Sequence, residues 1–198
     1  MDRRQEIYDT ALEIFISHGY DNTPLSRIAK ALGFTKANLY YYFQSKEELL
    51  FQIHYNYLEK NFIPILELAE KYFDPKKRIS SFMMSLTKML THDAAARVLI
   101  HEVRRLKPEH YQKIIQTWQR GFNIIRGAIS EMQAKGEGRK INKNFAAFAA
   151  LGMCCWTFYW FDYQRKESEE ELADTYIRLF FEGFQNDSNE NDSSEKMF

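Results

Sequence analysis

Cysteine is nearly absent from this chain. Its 198 residues contain two, and they are adjacent, Cys154-Cys155. A disulfide framework is excluded, which points to a reducing, cytoplasmic setting. Net charge is also absent: 27 basic residues balance 27 acidic ones. No global basic field recruits nucleic acid, although a local one remains open. The start, Met1-Asp2-Arg3-Arg4-Gln5-Glu6, has no apolar signal core. Strand signals are scarce, and four prolines and eight glycines interrupt otherwise helical periodicity. The chain therefore reads as all-α. No HExxH pair, nucleophile elbow or phosphate loop occurs, so no enzyme, metal or cofactor is expected.

What is present is uneven. From Asn22 to Lys46 there is no acidic residue, yet Arg27, Lys30, Lys36 and Lys46 fall there. Helix 1 is expected over about 4–18, with Ile7, Tyr8, Ala11, Leu12, Phe15 and Ile16 as its apolar stripe and Gly19 as its stop. Thr23 is expected to cap helix 2, with Pro24 in its first turn and Leu25, Ile28, Ala29 and Leu32 facing inward. After Gly33, Thr35 caps a short helix 3 ending near Phe43, and Ser45 with Glu48 forms a capping box for helix 4. Helix 4 carries Leu49, Leu50, Ile53, Tyr57 and Leu58, then meets Pro64; the pattern resumes through Tyr72, and Asp74-Pro75 marks a turn. Later helices are expected near 76–91, 94–106, 109–135, 142–165 and 169–183, about nine in all, before a polar, disordered tail at 185–198.

Helices 2 and 3, with glycine in the turn between them, fit a helix-turn-helix whose second helix enters the major groove. Leu39 and Phe43 can anchor that helix. Lys36, Ala37 and Asn38 form its first turn and suit guanine, thymine methyl and adenine respectively. Tyr40, Tyr41 and Tyr42 can place hydroxyls on phosphates or bases. Lys46 is a cation at a helix start, where anions are preferred; a nearby phosphate would account for it.

Residues 4–50, through Thr23-Pro24-Leu25-Ser26-Arg27-Ile28-Ala29, Gly33-Phe34-Thr35-Lys36, Leu39-Tyr40-Tyr41-Tyr42-Phe43 and Lys46-Glu47-Glu48-Leu49, resemble the DNA-binding domain of the TetR family of transcriptional repressors. The resemblance implies a helical homodimer on a near-palindromic operator in double-stranded DNA, released by a small molecule held in the C-terminal domain. It implies base-reading positions at Lys36, Ala37, Asn38 and Tyr40, and phosphate positions at Thr23, Thr35, Tyr41, Tyr42 and Lys46. Asn38 stands where a small residue is common and Tyr41 where histidine is common, so the resemblance does not fix the operator sequence.

Three parts follow: a helix-turn-helix domain at 1–47, a ligand-binding and dimerisation domain at 48–184, and the tail at 185–198. Aromatics and methionines gather in the second part. Met89, Val103, Arg104, Trp118, Phe122, Met153, Trp156 and Tyr159 are expected to line an apolar effector pocket. The region resembles family members that sense fatty-acyl or acyl-CoA molecules. The helix over 142–165 is apolar nearly all round. Its Phe145, Phe148, Ala149, Gly152, Met153, Trp156, Tyr159 and Tyr163 face is expected to meet its own domain. Its Leu151, Cys154, Cys155, Phe158 and Phe161 face is expected to meet a second subunit, together with Leu172, Tyr176, Leu179 and Phe180 of the last helix. A rival reading takes the apolar run 145–161 as the anchor of a membrane-associated interaction protein. That reading leaves residues 22–50 unexplained.

Overall fold

A computed structural model describes residues 3–159 and 168–184; residues 160–167, with Phe161 and Tyr163, and the tail at 185–198 lie outside the described residues, as does the side chain of Phe158. Every described element is helical: α1 (Arg3–His18), α2 (Leu25–Ala31), α3 (Lys36–Tyr42), α4 (Lys46–Tyr57), α5 (Ile63–Glu70), α6 (Pro75–His92), α7 (Ala94–Glu102), α8 (Pro108–Ala134), α9 (Lys143–Trp156) and α10 (Glu169–Phe184). A π-helical turn, Leu58–Phe62, joins α4 to α5 without a break. Counted as one helix, α4 and α5 bring the α-helices among the described residues to nine, the number expected.

The helical pattern was expected to meet Pro64 and resume through Tyr72, and the helix runs through the proline to Glu70. A proline ring collides with the carbonyl one turn earlier and has no N–H to give. The preceding turn widens instead: the Ile63 N–H donates to the Leu58 carbonyl, five residues back. The Asn61 amide donates to the Tyr57 carbonyl at 3.1 Å.

Two compact units divide the chain, one of Met1–Pro64 with His92–Gln119, the other of Ile65–Thr91 with Arg120–Phe198. In the first, the expected stripe of α1 is buried at Ile7, Tyr8, Ala11 and Phe15, while Ile16 is exposed. Ile28, Leu39, Phe43, Leu49, Leu50, Ile53 and Leu99 complete its core. Compactness thus gathers α7 and the start of α8 with the N-terminal helices. Asp93 caps α7 by accepting from the Ala95 N–H at 2.8 Å, and its other oxygen accepts from the Tyr57 hydroxyl at 2.7 Å. α7 stops at Glu102, short of the expected 106, and a 3₁₀ turn, Val103–Arg105, follows.

In the second unit, Ile79, Phe82, Met83, Ile125, Ile129, Met132 and Phe181 form the core. Small residues carry the inner side of α9: Ala146, Ala147, Ala150 and Cys154 are buried. They let the helix backbone approach its neighbours closely. The face of α9 expected to meet its own domain therefore turns outward, while Cys154, expected on the opposite face, is buried. Phe145, Phe148 and Trp156 point outward, at 71%, 60% and 63% exposure, with Gly152 exposed between them. Phe180, expected at a subunit interface, is buried in its own unit with its ring against Phe181. The Cys154 thiol lies 3.8 Å from the Met83 carbonyl, and burial pushes it up to about 12, so it stays protonated at neutral pH.

Candidate nucleic-acid interface

The turn between α2 and α3 is closed by backbone hydrogen bonds. The Gly33 N–H donates to the Lys30 carbonyl at 3.1 Å, and the Phe34 N–H to the Ala29 carbonyl at 2.8 Å. This is a Schellman end, and it needs the left-handed φ of +67° that glycine adopts without strain. Thr35 then caps α3: its Oγ1 accepts from the Asn38 N–H at 3.2 Å. Leu39 and Phe43 are fully buried and fix the rotation of α3. That rotation leaves Lys36, Ala37, Asn38, Tyr40 and Tyr41 exposed, with Tyr41 at 85%. Tyr42 is half-buried, its ring stacked on Phe34 at 6.4 Å and edge-on to Tyr41 at 5.3 Å. The Lys36 Nζ lies 5.7 Å from the centre of the Tyr40 ring.

The phosphate set is altered in three places. Thr23 is fully buried, and its hydroxyl donates to the Gly19 carbonyl at 2.8 Å. It neither caps α2, whose N-cap is Pro24, nor reaches a surface. The hydroxyl is consumed by the frayed carbonyl at the end of α1, a use that competes with capping. Both donors of Thr35, N–H and hydroxyl, go to Asn38 Oδ1. Lys46 has an internal explanation: its Nζ donates to the Tyr20 carbonyl and lies 4.1 Å from the centre of the Tyr20 ring. Burial lowers its pKa, while Asp21 opposes that shift. The expected capping box of α4 is displaced by one residue. Ser45 accepts from the Glu48 N–H at 3.0 Å, but the Glu48 carboxylate accepts from the Gln44 N–H at 2.8 Å.

A second layer was missed by sequence reasoning. Glu47 Oε1 accepts from the Lys107 N–H at 2.9 Å and lies 2.8 Å from His110 Nδ1. The His110 ring stacks on Phe51 at 4.0 Å. Arg105 reaches Asp21 at 2.6 Å and Glu102 at 3.1 Å. Glu47 lies 60 and 63 residues from Lys107 and His110, and Asp21 84 from Arg105, so no local pattern reveals these pairs. His54 did carry a signal, since it shares the Leu50, Ile53, Tyr57 side of α4. It is buried, its ring 5.9 Å from Trp118, and Nδ1 has no hydrogen-bond partner. Of the eight pocket candidates, Val103, Arg104 and Trp118 lie in the first unit. Met89, Phe122, Met153, Trp156 and Tyr159 lie in the second. Val103 is buried and Arg104 exposed. The Phe122 ring sits 4.8 Å from the outward Phe148, and Trp156 5.3 Å from Tyr159.

A glycine-closed turn, a capped short helix seated by two buried anchors, and an outward face without acids define a helix-turn-helix DNA-binding protein. Comparison with known proteins agrees. Residues 7–53 match "Bacterial regulatory proteins, tetR family", and residues 73–184 match "Tetracyclin repressor-like, C-terminal domain". The chain belongs to the TetR family of DNA-binding transcriptional regulators. It is similar to the uncharacterized HTH-type transcriptional regulator YuxN of Bacillus subtilis (strain 168), 36% identical over 75 residues. That alignment covers 38% of this chain and only 26% of YuxN. The fatty acid metabolism regulator protein of the same organism is 25% identical over 133 residues, covering 67% of this chain and 69% of that protein. Among solved structures, AibR in complex with isovaleryl coenzyme A and operator DNA has a TM-score of 0.83 and 26% identity, covering 91% of this chain and 98% of that one. No described helix is long and apolar enough to cross a membrane.

Proposed function

We propose that this protein is a cytoplasmic, homodimeric repressor that holds a palindromic operator and releases it when a small acyl or acyl-CoA effector binds. The carrying observation is the outward face of α3. Lys36, Ala37, Asn38 and Tyr40 are directed at base edges, and Tyr41, Tyr42 and Lys46 at the sugar-phosphate backbone. Residues 1–47 read DNA, and residues 48–184 supply effector binding and dimerisation. The outward side of α9, with Phe145, Phe148 and Trp156, supports a subunit interface alongside Leu179 of α10, at 55% exposure. Leu151, Leu172 and Tyr176 are half-buried and Cys155 is exposed, so all four remain available to it. Two copies related by a two-fold axis match two half-sites of a palindrome.

The effector class rests on likeness. AibR holds isovaleryl coenzyme A, and the Bacillus relative carries the name of a fatty acid metabolism regulator. Met89, Phe122 and Met153 of the second unit are the proposed pocket residues. An effector that prefers the non-binding state shifts the population toward it. The test adds acyl-CoAs of increasing chain length, branched isovaleryl-CoA, free fatty acids and free coenzyme A to the chain bound to its operator. One compound should both raise the melting temperature and release DNA. If no acyl compound does either, the effector assignment is wrong.

A further inference from the structure

The base-facing turn of α3 ends in an asparagine whose acceptor is already used. Asn38 Oδ1 faces the Thr35 backbone N–H at 3.1 Å and also the Thr35 hydroxyl. The orientation of this amide is fixed by chemistry, because a backbone N–H can only donate and the atom facing it must be oxygen. The Asn38 N–H returns a bond to Thr35 Oγ1 at 3.2 Å, closing a reciprocal capping box. Asparagine reads adenine by accepting from N6 while donating to N7. With Oδ1 taken, the first of those bonds cannot form.

We propose that Asn38 positions the recognition helix and presents only donors to DNA, so that the first turn of α3 reads acceptors and methyl groups and reads no adenine N6. Lys36 has an ammonium and no acceptor, Ala37 has a methyl group, and Asn38 retains only its amide N–H pair. In the major groove this set matches guanine N7 and O6 and the thymine methyl. Tyr40 is the first base-facing side chain along α3 with an acceptor to offer. Lys36 is steered by the Tyr40 ring beside it. The inference rests on the reading of α3 as the DNA-contacting helix and narrows it to a base chemistry.

The full-length protein is used to select duplexes from a random pool, and the enriched half-site is rebuilt with each adenine in turn replaced by purine, which lacks N6. The parent should lose less than about twofold at every position that Asn38→Ala does not also lose. Asn38→Ala should keep every adenine of the parent's motif, relax guanine only where the Asn38 amide donates, and bind all duplexes about fivefold more weakly, the effect of a lost cap of about 1 kcal/mol. Asn38→Gln keeps the reciprocal bond, since glutamine serves at this cap position, and should restore affinity. A loss of about tenfold or more at one adenine in the parent, absent in Asn38→Ala, overturns the proposal. That result means a phosphate displaces Oδ1 from Thr35 on binding and frees it to read. If the parent enriches no motif, the DNA-contacting reading falls and this inference falls with it; helicity by circular dichroism separates either result from misfolding.

Discussion

The Lys46 ammonium sits 4.1 Å from the centre of the Tyr20 ring and donates to the Tyr20 carbonyl. Its position at the start of α4 is thus satisfied before any DNA arrives. The phenol beneath it is pushed up to about 12, by burial first and by Glu47 second, so the ring stays neutral. Its Nζ also donates to the Asp21 carbonyl at 3.5 Å, so the tether holds the charge in place and leaves one ammonium proton beyond these two carbonyls.

Lys46→Met keeps the stem over Tyr20 and removes the charge. Affinity for operator and random DNA should fall alike, and the slope of log affinity against log salt should shrink by about one. An unchanged slope would leave Lys46 with only its internal role. The same variant should melt within a few degrees of the parent.

His54 predicts a pH dependence. Burial lowers its pKa from 6.5 to about 4. Between those values the unfolded chain takes up a proton that the folded chain refuses, so stability falls as pH drops through that window. The loss attributable to this group approaches about 3 kcal/mol at pH 4. His54→Phe, which also removes the unpartnered Nδ1, should flatten denaturation midpoints between pH 6.5 and pH 4 relative to the parent. Parallel pH curves for the two proteins would contradict the burial argument.

On α9, Phe148→Glu or Trp156→Glu places a charge on the outward face. If two copies meet there, sedimentation should show a two-chain parent and single-chain variants, with affinity for a full palindrome falling by at least tenfold. Variants that remain two-chain would move the interface elsewhere.

The helix-turn-helix was legible because its signals are local. Thr35, Ser45 and Gly33 each act within five residues, and Leu39 with Phe43 repeats at one helical turn. Two kinds of information were not local. One is competition for a single group. The Thr23 hydroxyl could cap α2 or take the Gly19 carbonyl, and Asn38 could read a base or cap its own helix. The other is direction. A helix apolar on all sides has no polar side to say which face turns outward, and on α9 the small residues decide it. Past Pro64 the resumed pattern was legible, but the widened turn that absorbs the proline was not.

Specific DNA should be held by the outward face of α3. The direct measurement is the affinity of the full-length chain, at a fixed near-physiological salt concentration, for its selected duplex and for random duplex, with Lys36→Ala and Tyr41→Ala alongside. Specific binding should be about a thousandfold or more tighter than random. Lys36→Ala should narrow that ratio by about tenfold, while Tyr41→Ala should weaken both affinities alike. A parent that binds both duplexes equally, or a ratio that neither substitution moves, would contradict the account.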